Sequence, residues 1–195
     1  MSRQPQRVHE AVGYLLHATP WRETSLVIQM FTRDHGSVAL VAKGAKRPYS
    51  TLRPVLMAFQ PLSLHWSGAG EVKTLSRAEC NGIRPLAGRA LMSAWYMNEL
   101  LLRLLPREDP HPVLYDAYDA ALSDLSQGSS AAGALRRFEW ILLRETGYGL
   151  DQEAPDFADA GLEPVLRGSL RERLDELLAG RPLQTRKVLM DLQRY

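Results

Sequence analysis

Through the first 80 or so residues the apolar positions come in short runs or alternate with polar ones; beyond them they recur every three to four positions. Ala11 to His17 is apolar-rich and bounded by Thr19-Pro20, which reads as a turn. Ser25 to Phe31 is a second run, and Asp34-His35-Gly36 supplies a turn before a third, Ser37 to Ala42. Leu56 to Trp66 contains a fourth, in which Leu62, Leu64 and Trp66 alternate with Ser63 and His65. Ser67 to Gly70 is a loop of hairpin type, and Val72 to Ala78 is the fifth run. Five short strands joined by tight turns predict a small closed barrel, because closure removes the exposed edges an open sheet would leave.

The remainder predicts helices. Leu91, Trp95, Asn98, Leu101, Leu102 and Leu105 follow helical spacing, and Pro106 stops that helix. Asp109-Pro110 reads as the N-cap and first position of the next, which carries Leu114, Tyr118, Ala121, Leu122 and Leu125. A third helix is expected from about Ala134 to Thr146, closed by Gly147 as the residue after the cap. Leu150 to Glu163 is acidic and irregular and reads as a loop; Leu170 to Ala179 and Arg186 to Leu192 complete the helical part. Asn81-Gly82 and Pro85 interrupt both periodicities. The expected organisation is therefore an α+β multi-domain chain: a five-stranded β-barrel over residues 1–80, then an all-α domain over 81–195.

Charge sharpens this division. Residues 1–80 hold 10 Lys and Arg against 5 Asp and Glu, whereas 81–195 hold 14 against 17, so a net charge of +2 conceals a basic half and an acidic half. Only the first suits a polyanion. No stretch is apolar enough to span a bilayer, and Met1 to Glu10 is polar, unlike a signal peptide, so a cytoplasmic protein is expected. Cys80 is the one cysteine, which excludes an intrachain disulfide and a four-thiolate zinc site.

Signatures of catalysis are missing. The histidines at 9, 17, 35, 65 and 111 lack metal-ligand spacing, and no serine occupies a G-x-S-x-G elbow. Gly147-Tyr148-Gly149 follows a helix, whereas a dinucleotide-binding turn follows a strand. Neither a cofactor nor a metal is expected.

Two clusters suggest binding instead. Lys43-Gly44-Ala45-Lys46-Arg47, with Arg53 close behind, follows a strand; its cations suit phosphates and Tyr49 suits a base. An ordinary solvated loop is the plain reading of the same residues. Arg22 is a weaker candidate, and Trp21 beside it reads as a plug for the barrel end. On the third helix Arg136 and Trp140 are four apart and share a face, with Arg137 alongside. Arginines rimming an apolar surface can capture a peptide ending in acidic and aromatic residues, although helical periodicity more often reports packing alone.

A set of segments in order resembles a known family. Gly13-Tyr14-Leu15-Leu16-His17, Pro20-Trp21-Arg22-Glu23-Thr24-Ser25-Leu26, Phe31-Thr32 and Gly36 resemble the start of the bacterial recombination mediators of the RecO family. Leu40-Val41-Ala42-Lys43-Gly44-Ala45-Lys46-Arg47 matches their most characteristic segment. Phe59 to Leu62, Gly70 to Leu75, Tyr96 to Leu101, Leu135 to Glu139 and Gly147 to Gly149 continue the pattern, and Gly180 to Arg186 looks like a variant of the closing motif. The resemblance implies an N-terminal OB-fold and a helical domain that bind single- and double-stranded DNA and anneal complementary strands. It implies help from RecR in loading RecA onto DNA coated by the single-strand-binding protein SSB, and contact with the SSB C-terminal tail. On this footing Arg22, Lys43, Lys46, Arg47, Tyr49 and Arg53 are the DNA-binding candidates, and Arg136, Arg137 and Trp140 the tail-binding candidates. A generic OB-fold RNA- or DNA-binding module with a helical dimerisation domain, and a nuclease, are the competing readings.

The chain departs from the family in lacking the cysteine-rich zinc module many members carry after the Gly-Tyr-Gly segment, and in a shorter, more acidic stretch from Leu150 to Ala179. With Cys80 alone, the protein is expected to purify without stoichiometric zinc, and chelator is expected to leave its folding unchanged. Elemental analysis finding one tightly held zinc per chain would contradict this.

Overall fold

The computed structural model describes residues 6–149 and 153–192. The chain divides into two compact units: residues 1–84 with 106–112, and residues 85–105 with 113–195. No helix among the described residues is long and apolar enough to cross a membrane.

The first unit is a closed barrel with strand order β1-β2-β3-β5-β4. Its strands are β1 (Gln6–Trp21), β2 (Ser25–Thr32), β3 (Gly36–Ala42), β4 (Leu62–Gly68) and β5 (Val72–Cys80). All neighbours are antiparallel except β3 and β5, which pair in parallel from Ala39↔Val72 to Val41↔Thr74. This is an OB-fold. The alternation read in β4 is realised: Leu62, Leu64 and Trp66 are buried while Ser63 and His65 are partly exposed. These three side chains join Val8, Leu15, Ile28, Met30, Val38, Leu40 and Leu75 in the core.

β1 is longer than its hydrophobic run. Thr19-Pro20 does not end it; Pro20 pairs with Leu26 and Trp21 with Ser25. A proline is tolerated there because β1 beyond Gly13 pairs only with β2, so one side of the strand needs no donor.

The second unit holds α1 (Gly88–Leu104), α2 (Pro112–Ser126), α3 (Ala131–Glu145), α4 (Glu163–Leu177) and α5 (Gln184–Leu192). Tyr118, Phe138, Met97, Leu100, Leu101, Leu114, Leu122 and Leu142 are fully buried. The hydroxyl of Tyr118 donates to Asn98 Oδ1, which satisfies both polar groups inside that core. Gly147 does close α3, with a φ of 82°. Its N–H reaches Arg144 O at 3.2 Å and the Tyr148 N–H reaches Leu143 O at 2.8 Å, the paired bonds of a Schellman motif.

α3 and α5 begin two to three residues before their expected starts, and two other helix starts need a physical reason. α2 begins at Pro112, not at Asp109-Pro110. Residues 106–112 instead return to the barrel, where the Glu108 N–H donates to Ser37 O at 2.9 Å and the Lys73 ammonium, itself buried, pairs with the Glu108 carboxylate. That partnership spans 35 residues of sequence, so no local pattern could announce it. α4 begins at Glu163, seven residues before the first expected position, because Pro164 sits in its first turn, where a missing N–H costs nothing.

Gly36 is held tightly by this return. Its φ is +66°, and a Cβ there would lie 2.1 Å from the carbonyl oxygen of Asp109. Gly36→Ala is therefore expected to destabilise the barrel by about 3 kcal/mol, from left-handed strain plus the displaced backbone. Urea unfolding monitored by strand circular dichroism measures this; an unchanged midpoint would contradict it.

Candidate nucleic-acid interface

The basic segment after β3 is a built loop. Ala45 is buried in the barrel core, so Lys43, Lys46 and Arg47 on either side of it turn outward. The loop is tied to the β1–β2 turn by the Lys46 N–H on Thr24 O at 2.8 Å and the Gly44 N–H on Ser25 Oγ at 3.4 Å. These bonds bring Arg22 and the basic loop to the same end of the barrel. Arg22, Lys43 and Arg47 line one open depression of about 910 Å³ with Trp21, Glu23, Thr24 and Ser25. Val41 and Thr74, the last pair of the parallel β3–β5 seam, also line it.

Lys46, Tyr49 and Arg53 lie on the same connection and are exposed, but they do not line the depression. Tyr49 is wholly in solvent at 103% relative exposure. Lys43, Lys46, Arg47 and Arg53 have no ion-pair partner among the described residues. Three cations against the single carboxylate of Glu23 leave the depression positive, and cations without protein partners remain available to phosphate.

Trp21 corrects the sequence reading. It does not plug the barrel: it is 48% exposed at the end of β1, with the Arg22 guanidinium 5.9 Å from its ring centroid. Trp66 fills the interior instead, with His35 edge-on at 5.2 Å. The missed signal was the turn: Trp21 directly precedes Arg22, whose φ of 52° marks a tight reversal, and a side chain at a hairpin end has one open flank.

The helical-unit candidates are placed differently. Arg136 and Trp140 are buried and Arg137 is exposed. Arg136 donates from its terminal nitrogen to Glu139 Oε1 at 3.0 Å, and its Nε lies 3.0 Å from Oε2 without hydrogen-bond alignment. A weaker contact runs to Glu163 at 3.8 Å. The Tyr96 hydroxyl also donates to Glu139 Oε1, at 2.7 Å, and Arg186 of α5 lies over the Tyr96 ring. Outside this network, Arg137 sits 5.8 Å over the ring of Phe157, which meets Trp140 edge-on at 6.3 Å.

α5 is fixed by one carboxylate that sequence reading did not single out. Glu99 of α1 accepts from the N–H groups of Gln184 and Thr185 at 2.8 and 2.9 Å, and from the Thr185 hydroxyl at 2.7 Å. Burial alone would raise its pKa, but these backbone donors, the hydroxyl and Arg103 hold it below the ordinary value. An anion at a helix N-terminus satisfies donors that otherwise lack partners.

A five-stranded OB barrel with a cationic rim, followed in the chain by a helical unit, defines the class: a two-unit protein whose basic end suits a polyanion. Comparison with known proteins specifies it. Residues 7–84 match the family profile described as Recombination protein O N terminal, and residues 86–154 that of Recombination protein O C terminal. The chain is 57% identical over 163 residues to the DNA repair protein RecO of Aromatoleum aromaticum, covering 83% of this chain and 68% of the relative. It is 43% identical over 238 residues to that of Cupriavidus pinatubonensis, covering 98% and 82%, and 41% identical over 236 residues to that of an Azoarcus species, covering 96% and 97%. The chain belongs to the RecO family of DNA repair proteins, and the family places it in recombinational repair. The two longer alignments exceed the 195 residues of this chain, so these relatives carry additional residues within the matched span.

The buried pair yields a stability prediction. Burial pushes the Glu139 carboxyl above its ordinary 4.5, opposed by Arg136, Tyr96, Arg186 and Arg167. A carboxyl with a raised folded pKa contributes stability that is full below about 4.5 and lost as pH rises through the folded value. Glu139→Gln is expected to remove that part of the pH dependence. Arg136→Ala is expected to cost about 3 kcal/mol where the folded Glu139 carboxyl is ionised, because a buried carboxylate then loses its main partner, and less at any pH low enough to protonate it or in the Glu139→Gln background. Thermal unfolding of the three variants across pH checks this; a pH-independent cost for Arg136→Ala would contradict it.

Proposed function

We propose that this chain is a non-enzymatic recombination mediator of the cytoplasm. It binds single- and double-stranded DNA, anneals complementary strands, and works with RecR to help RecA replace SSB. The observation that carries the reading is the convergence of Arg22, Lys43 and Arg47, from two separate segments, on one open depression at the barrel end. Lys46 and Arg53 extend the positive surface along the same connection, and Tyr49 offers a ring to a base. Annealing needs no reacting side chain. It needs cations that screen the repulsion between two strands while leaving the bases free to pair.

The SSB tail is proposed to meet the helical unit at Arg136, Arg137 and Trp140. The tail offers carboxylates and a terminal aromatic ring, and α3 offers a guanidinium beside an aromatic cluster. The exposed Arg137 supplies the accessible charge, next to Phe157, while the buried Arg136 and Trp140 hold the helix face in place.

Replacing Lys43, Lys46, Arg47 and Arg53 together by Ala is expected to weaken binding to unrelated DNA sequences about equally. The plot of log K against log salt should flatten by a slope of about 3 to 4, as up to four fewer counterions are released. The same variant should lose annealing of SSB-coated strands yet keep full affinity for an SSB-tail peptide. Unchanged DNA affinity and slope in the folded variant would rule out this surface.

A further inference from the structure

A large aromatic side chain left in solvent beside three cations calls for a physical reason. Of the four tryptophans, Trp66 and Trp140 are buried at 1% and 5% exposure, Trp95 is 38% exposed, and Trp21 is the most exposed at 48%. Packing does not account for that exposure, since the barrel interior is filled without Trp21. Its place in the chain is also fixed. It pairs with Ser25 across the β1–β2 hairpin, and Ser25 in turn accepts from the Gly44 N–H of the basic loop. The indole is thus held at the wall of the depression that Lys43 and Arg47 also line, with the Arg22 guanidinium against it.

The two kinds of side chain in this depression distinguish two kinds of nucleic acid. Phosphates are presented by a duplex and by a single strand alike, so Arg22, Lys43 and Arg47 serve both. Base faces are stacked inside a duplex, and only an unpaired strand can offer one to an indole. We propose that Trp21 is a base-stacking platform that gives the depression its preference for single strands, while the neighbouring cations supply affinity for either form. This rests on the DNA-binding reading given above. Tyr49, which also offers a ring to a base, lies outside the depression.

The test uses the full chain with an oligothymidine and with a duplex of equal length. Oligothymidine is expected to quench the fluorescence of the wild-type protein. Trp21→Phe should abolish most of that quench while keeping much of the affinity, because a smaller ring still stacks. Trp21→Ala should weaken single-strand binding about 10-fold, within the range of base–aromatic stacking, and leave duplex affinity and both salt slopes unchanged. Unaltered unfolding midpoints in the two variants show that the hairpin is intact. The proposal is overturned if Trp21→Ala weakens both forms equally, or neither, or if Trp21→Phe keeps the full quench. The underlying reading fails separately: then removing the loop cations would leave wild-type DNA affinity and salt slope untouched, whatever Trp21 does.

Discussion

A barrel of five strands closes only if every strand finds two partners, and here β1 meets that demand by changing neighbours along its length. Its first half pairs with β4 from Gln6↔Gly68 to Gly13↔Leu62, and its second half with β2 from Gly13↔Thr32 to Trp21↔Ser25. A bulge between Val8 and Ala11, with Glu10 at a φ of 56°, bends the strand before the changeover. The other seam is weaker, since β3 and β5 share only three residue pairs and stop at Val41↔Thr74. Where that seam stops, the wall opens, and there the depression forms. The place of the candidate interface is therefore a consequence of how the sheet closes.

Position alone would leave the cations on mobile tethers. The basic loop avoids this by burying its middle residue: Ala45 is 1% exposed, and the Lys46 and Gly44 N–H groups on Thr24 O and the Ser25 hydroxyl hold the residues around it. A small apolar residue between lysines thus directs both lysines outward from a fixed backbone. On the proposed DNA-binding reading, ordering that would otherwise be required on binding is carried by folding, so more of the phosphate attraction is left for affinity.

The strands were legible because burial on one face forces a period of two, and Leu62, Leu64 and Trp66 obey it without exception. The end of α3 was legible because Gly147 is a local chemical requirement of its cap. What was not legible depended on partners distant in sequence. Pro20 reads as a turn until its one-sided pairing is known, and Asp109-Pro110 reads as a helix start until Glu108 is seen on Lys73. The basic cluster was visible as composition. Its convergence with Arg22, 21 residues before Lys43, required the fold.

Arginine shows most plainly why composition underdetermines a site. Arg22 and Arg47 stand in solvent, whereas Arg136 is buried between Glu139 and Glu163. In water a guanidinium exchanges one set of weak ionic neighbours for another at little cost, so Arg22 and Arg47 can take up and release a polyanion reversibly. Inside the helical unit the same group has no solvent to fall back on. Separating it from Glu139 would strand a charge in a medium that cannot screen it, so the pair behaves as a fixed part of the structure. A peptide that used Arg136 directly would have to match Glu139 first, whereas one that used Arg137 would displace only water and a ring contact. Of these two, the accessible charge is therefore Arg137, and the contribution of Arg136 is to hold α3 against Tyr96 of α1 through the carboxylate they share.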